Sequence, residues 1–399
     1  MEIYECILSL IGGIGAFMIA MELLTKSLNE LAGEKMKSIL QKITGNRILG
    51  VLVGAFVTAA IQSSTATTIM VIGFVNANVM DLYQASAIII GANIGTTATG
   101  LLASLESLNV SLYLSLFCFI GVILSFIQKI KKIGNFLKGL GMIFVGLKLM
   151  SSSCNDESIK SGFRTLFATI DFPLLLELFG LLFTALIQSS AAVTGLVIVM
   201  ISNQAINIQS ALFITLGSNV GTCVAALIAV IKGNINSKRA AIIHLTFNTF
   251  GCSVFTPILW ISTDKIISIL QSIVSKEGMQ IAIFHVFFNC TTALITTPLI
   301  CLLVNFSKCV IKDKKNKETI MENLIDNVND ISVIVRADES INPFKENKEN
   351  NNLEKNDEND TTKNEEENNN EDNENNIKLS VKLTVDDKVE ENGIKEKDL

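Results

Sequence analysis

Two tripeptides, Gln62-Ser63-Ser64 and Gln188-Ser189-Ser190, concentrate polar chemistry inside otherwise apolar sequence. Ser63, Ser64, Thr65, Thr67 and Thr68 cluster at the first, and Ser189, Ser190 and Thr194 at the second. Their hydroxyls donate and accept hydrogen bonds, and each Gln adds a carbonyl oxygen and an NH2 group. Oxygens of this kind suit a hard cation such as Na+, and the donors suit an oxyanion. Sliding the chain by 126 residues aligns the two regions without a gap, and 18 of 49 positions are then identical between Gly54–Leu102 and Gly180–Ile228. The matches include Thr58/Thr184, Gly91/Gly217, Asn93/Asn219, Gly95/Gly221 and Thr96/Thr222. Shared apolar composition does not repeat such polar residues in register. Duplicated membrane units with polar breaks in corresponding places are a pattern of transport sites.

The elements that must carry these residues follow from composition. The net charge of −6 and mean hydropathy of +0.46 average two unlike parts. Residues 1 to about 310 are rich in Ile, Leu, Val, Phe, Ala and Gly, whereas the remainder is dominated by Asn, Glu, Lys and Asp. Apolar runs of about 20 residues have the length of a membrane span. The expected fold class is therefore an all-α polytopic membrane protein. The start lacks a basic n-region and a clear cleavage site, so it reads as the first span and not as a removable signal. The eight cysteines form no CxxC pair, and Cys154 alone is expected in a loop.

Seven crossing helices are expected, at about 3–27, 83–104, 110–128, 134–151, 209–231, 239–262 and 280–307. The segments 48–76 and 173–203 are too long for one straight crossing and carry Gln-Ser-Ser near their middles. They read as re-entrant hairpins of two half-helices. A first repeat with three crossings makes the second inverted, and the basic residues set the orientation. Lys35, Lys37, Lys42, Arg47, Lys129, Lys131, Lys132, Lys232, Lys238 and Arg239 fall in loops assigned inside. That reading puts the amino terminus outside and the tail in the cytoplasm, in a multi-pass cell-membrane protein. The units expected are a first repeat over 1–128, a second, inverted repeat over 129–262, a final helix over 263–310, and a tail over 311–399. Segment 28–46 reads either as a separate amphipathic helix at the inner surface or as a solvated connector.

At a helix break inside a bilayer, freed backbone groups need partners. Half-helix amino ends with exposed N–H groups favour an oxyanion. No charged residue is expected in either hairpin core or beside Gly91–Thr97 and Gly217–Thr222, so a bound anion would need co-bound cations, which favours Na+ over proton coupling. His244 and His285 could relay protons but more commonly bond a neighbouring helix. An Asn between the paired glycines, in Gly91-Ala-Asn93-Ile-Gly95 and Gly217-Ser-Asn219-Val-Gly221, favours local unwinding over simple close helix contact. No GxxxxGK[ST] loop, catalytic triad or metal cluster occurs, so an ATP-driven pump and an enzyme are unsupported. No cofactor beyond Na+ as coupling ion is expected, and no nucleic acid.

At these residues the chain resembles the type II sodium-dependent phosphate cotransporter family in its bacterial form. The marks are the paired Gln-Ser-Ser, the downstream Gly-Ala-Asn-Ile-Gly-Thr-Thr and Gly-Ser-Asn-Val-Gly-Thr, and Arg239-Ala-Ala-Ile-Ile-His244-Leu-Thr-Phe247-Asn248. His285-Val-Phe-Phe288-Asn289 is a related run, and the resemblance covers about 10–305. It implies import of inorganic phosphate with Na+ by alternating access. Where the family often has a third Ser, this chain has Thr65 and Ala191, and a polar tail stands where many bacterial members carry a helical regulatory domain. The expected substrate and Na+ ligands are Gln62, Ser63, Ser64, Thr65, Asn93, Thr96, Gln188, Ser189, Ser190, Asn219 and Thr222. The rival readings are a Na+ symporter of another small anion, a carboxylate or sulfate, and a non-transporting sensor or scaffold acting through the tail. Residues 318–334 have helical apolar spacing. Beyond Asn342 the composition cannot bury enough apolar area to fold, which leaves the tail to a cytoplasmic partner.

Overall fold

The computed structural model describes residues 3–41, 46–108, 111–170 and 172–313; the tail readings lie outside these residues. The described residues form helices and no strand. In chain order the helices are α1 (Ile3–Gln41), α2 (Arg47–Ile61), α3 (Ser64–Asn76), α4 (Leu82–Ser104), α5 (Ser111–Ser125), α6 (Lys131–Cys154) and α7 (Glu157–Ala168). They continue with α8 (Pro173–Ile187), α9 (Ser190–Ser202), α10 (Ile208–Gly221), α11 (Cys223–Ala229), α12 (Ile235–Ile273), α13 (Glu277–Thr296) and α14 (Ile300–Val310). Six helical stretches among the described residues are long and apolar enough to cross a membrane. Leu52, Phe56, Leu182, Leu186, Phe119 and Leu294 are exposed on helix faces, which water would not tolerate in such number and lipid does. The protein is a multi-pass membrane protein, all-helical over the described residues.

Four boundaries differ from the sequence reading. Helix α1 does not stop near residue 27 but continues through Gln41. Leu28–Gln41 is made mostly of good helix formers without proline, and Met36 and Leu40 bury themselves in a core shared with α2, α3 and α4. The last predicted span is two helices, interrupted at Thr297-Pro298-Leu299, where Pro298 lacks the N–H that the ladder needs. Arg47 Nη2 donates to Cys301 Sγ at 3.1 Å beside that interruption. Helix α12 runs past residue 262, although Ser262 itself is non-helical (φ −120°, ψ 25°) and marks a kink. The stretch 152–172, read as a loop, holds the amphipathic α7, and Cys154 is the buried last residue of α6.

The duplication is written into the backbone. Four non-glycine residues have positive φ: Gln62 (59°), Asn78 (56°), Gln188 (57°) and Gln204 (57°), and they fall into two pairs 126 residues apart. The close helix contacts recur in the same register. A Cβ on Gly54 would strike the Ile88 carbonyl, and one on Gly180 the Ile214 carbonyl. Gly91 similarly abuts the Val51 carbonyl, and its mate Gly217 the Glu177 carbonyl. Helix α4 thus lies backbone to backbone on α2, as α10 does on α8. The paired glycines serve this approach, and α4 is continuous through Gly91–Gly95, so the expected unwinding does not occur there. In the second copy only Thr222 stands between α10 and α11, and its φ of −61° and ψ of −26° are helical.

A test follows. Gly217→Ala places a methyl against backbone that cannot rotate away, and overpacking typically costs about 1–3 kcal/mol. Thermal unfolding in detergent should show a lowered midpoint for Gly217→Ala and Gly91→Ala. Gly73→Ala, which meets nothing within 4 Å, should hold or raise it. Equal midpoints for all three would refute the close-contact role.

Candidate functional site

Each Gln-Ser-Ser forms a break between two helices, built the same way twice. Gln62 leaves α2 in the left-handed region, and its N–H donates to Thr58 O at 2.7 Å; Gln188 leaves α8 likewise, donating to Thr184 O at 2.7 Å. Ser63 then caps α3, its Oγ accepting from Ala66 N–H at 3.1 Å, and Ser189 caps α9, accepting from Ala192 N–H at 3.2 Å. The first two N–H groups of each following helix, on Ser64 and Thr65 and on Ser190 and Ala191, have no intrahelical acceptor by position. Ala191 thus brings a donor despite lacking a hydroxyl.

The two breaks line one cavity of about 1010 Å³, with Gln62, Ser63, Ser64, Thr65, Gln188, Ser189, Ser190 and Ala191 on its wall. Thr96 and Thr99 of α4 join them. Thr99 Oγ1 donates to Gln62 Oε1 at 3.0 Å, and Gln62 Nε2 donates to Ala59 O at 2.7 Å, so Gln62 is held at both ends of its amide. The residue corresponding to Thr99 is Ala225, and the Gln188 amide stands exposed to the cavity.

Asn93, Asn219 and Thr222 do not line this cavity. Asn219 Oδ1 lies 3.1 Å from His285 Nε2 and accepts from Asn289 Nδ2 at 3.4 Å, while its own Nδ2 donates to Thr215 O at 2.9 Å. Its amide therefore joins α10 to α13. Asn93 Nδ2 donates to Ile89 O at 2.9 Å, and Thr222 Oγ1 to Asn219 O at 2.5 Å. His285 bonds a neighbouring helix, whereas both ring nitrogens of the buried His244 lack a partner.

Behind the breaks, four buried hydroxyls have no partner: Thr58 and Thr184, Thr68 and Thr194. They are two repeat pairs, each 126 residues apart. A buried hydroxyl without a partner is costly, and the cost recurs in both copies at residues just off the cavity wall. The matched positions were legible in the sequence for Thr58 and Thr184, but only burial shows their oxygens to be spare.

Two expectations about charge are corrected. Glu177 lies within α8; its backbone packs on Gly217 and its carboxylate accepts from the Thr256 hydroxyl. The cavity, moreover, is not neutral, because α1 closes it with Glu22, Thr25, Lys26, Asn29 and Glu30. The sequence reading took 3–27 as a span and 28–46 as an amphipathic helix or connector, and placed neither at the site. The acids and base of α1 at four-residue spacing would have marked a polar face, but not what that face looks onto.

Two matched helix breaks that meet in one cavity of a many-helix membrane protein are the build of a membrane transporter. The chain belongs to the Na+/Pi-cotransporter family, whose description matches residues 16–152 and 159–283. It is 29% identical over 287 residues to "Uncharacterized protein YqeW" of Bacillus subtilis, covering 71% of this chain and 91% of that one. It is 27% identical over 291 residues to "Putative inorganic phosphate export protein YjbB" of Salmonella typhimurium, covering 72% of this chain and 52% of the relative. Human "Sodium-dependent phosphate transport protein 2B" is 32% identical over 99 residues, covering 24% of this chain and 14% of that protein. No solved structure matches the chain.

Proposed function

We propose that the chain carries inorganic phosphate across the membrane by symport with Na+, driven inward by the Na+ gradient. The observation that carries this reading is the convergence of both Gln-Ser-Ser breaks on one cavity. Amide N–H groups at two helix starts, with Gln188 and the tip hydroxyls, supply donors to a phosphate. The unpartnered hydroxyls of Thr58, Thr184, Thr68 and Thr194, with freed carbonyls, supply oxygens to Na+. The names of relatives point both to Na+-dependent transport and to export, so driving force and direction are read from one assay. The anion is tested by competition: unlabelled phosphate should suppress uptake of labelled phosphate, and equal suppression by sulfate or a dicarboxylate would favour another anion.

We further read the two breaks as re-entrant hairpins in inverted repeats, with the amino terminus outside and residue 313 inside. Lys129 precedes α6, Lys131 and Lys132 open it, and Lys160 and Arg164 are the basic residues of α7. The basic excess on the α6 side supports a cytoplasmic start for α6. In a background with the native cysteines replaced, a cysteine at exposed Lys131 should react with an impermeant thiol reagent only after permeabilisation. One at exposed Ser158 should react in intact cells. The reverse pattern would overturn the orientation.

A further inference from the structure

We infer that Lys26 of α1 is a substrate-recruiting residue, the cation that draws phosphate into the cavity and holds it opposite the two helix breaks. The inference rests on the phosphate reading above. Helix α1 contributes residues from Gly15 to Glu30 to the cavity wall, a length of about 22 Å at 1.5 Å per residue. Lys26 is the basic side chain of that wall among the described residues. It sits one turn from Glu22 and one turn from Glu30, the spacing at which helix ion pairs form. Yet no ion pair of Lys26 occurs among the described residues, and its side chain is exposed to the cavity. A cation that leaves two available acids and lines the same cavity as four helix-start N–H groups is placed to meet an anion.

The flanking acids give the arrangement a second property. Glu22, Lys26 and Glu30 together carry one net negative charge, so the wall does not trap a phosphate as a cluster of bases would. Na+ is drawn to the same wall by the acids, and a phosphate passing Lys26 travels toward the breaks with its counter-ion nearby. Attraction of this long-range kind raises the capture of substrate and weakens as salt screens it.

The experiment is labelled-phosphate uptake by reconstituted full-length protein at fixed Na+, comparing wild type with Lys26→Gln and Lys26→Arg. Lys26→Gln should raise the KM for phosphate about fivefold while kcat stays within about twofold. Adding choline chloride should shrink that difference, and Lys26→Arg should restore most of the affinity. An unchanged KM in Lys26→Gln, a loss confined to kcat, or an Arg variant no better than Gln would each overturn the role of the charge. If wild type carries phosphate and these results appear, only Lys26 is misjudged. If wild-type vesicles carry none, the phosphate reading fails and the inference falls with it.

Discussion

Gln188→Ala is expected to cut phosphate uptake by ten- to more than a hundredfold, and Ser86→Ala or Ser210→Ala to leave it near normal. The four serines and both glutamines of the breaks line the cavity, whereas Ser86 is buried and donates to Leu82 O within α4, and Ser210 is buried at the start of α10. Losing a hydrogen bond to a charged ligand typically costs about 1.5–3 kcal/mol, which is the range of that expected loss. Gln188 is the cleaner of the second-copy substitutions, because Ser189 also caps α9 and its replacement by Ala removes about 1 kcal/mol of helix stability as well. Gln62→Ala and Ser63→Ala should be as damaging, since both copies reach the same cavity. Gln62→Ala additionally strands the Thr99 hydroxyl. Normal uptake by Gln188→Ala and Gln62→Ala at normal membrane levels would reduce the breaks to packing elements.

Thr58→Val and Thr184→Val should separate ion binding from stability. Valine keeps the shape of threonine and removes a hydroxyl that has no partner within the protein. Removing a buried, unpaired polar group is neutral or stabilising for the ligand-free protein, so its unfolding midpoint without Na+ should hold or rise. If those oxygens complete a Na+ site, the Na+ concentration for half-maximal uptake should increase by about tenfold or more. Phosphate affinity measured below saturating Na+ should fall too, because coupling between two bound ligands is reciprocal. A lowered midpoint with unchanged Na+ dependence would assign these hydroxyls to packing instead.

Much of this site was legible in the sequence because duplication supplied an internal control. Gln-Ser-Ser recurring in register identified the breaks, and the helix-start geometry of Ser63 and Ser189 is what Ser at an N-cap does. The Gly-x-Asn-x-Gly runs were legible as special but were misread as unwound. Their Asn amides find partners inside the helix or on α13, so no break is needed, and the glycines instead admit α2 and α8 to backbone contact. The continuation of α1 to Gln41 was hidden because Lys and Glu in 28–41 look like an interfacial surface, while Met36 and Leu40 decide the matter by packing. The charged wall was hidden for a different reason. A face of Glu22, Lys26 and Glu30 on one helix does not state which cavity it overlooks, and only the tertiary placement of α1 beside the breaks gives it a role.

The most direct test of Na+-coupled phosphate transport is labelled-phosphate uptake into proteoliposomes holding the full-length protein, with Na+ or choline outside and no proton gradient. The account predicts rapid accumulation with an inward Na+ gradient, almost none in choline, and phosphate efflux from loaded vesicles when the gradient is reversed. Equal uptake in choline, or accumulation that follows an imposed proton gradient alone, would contradict it.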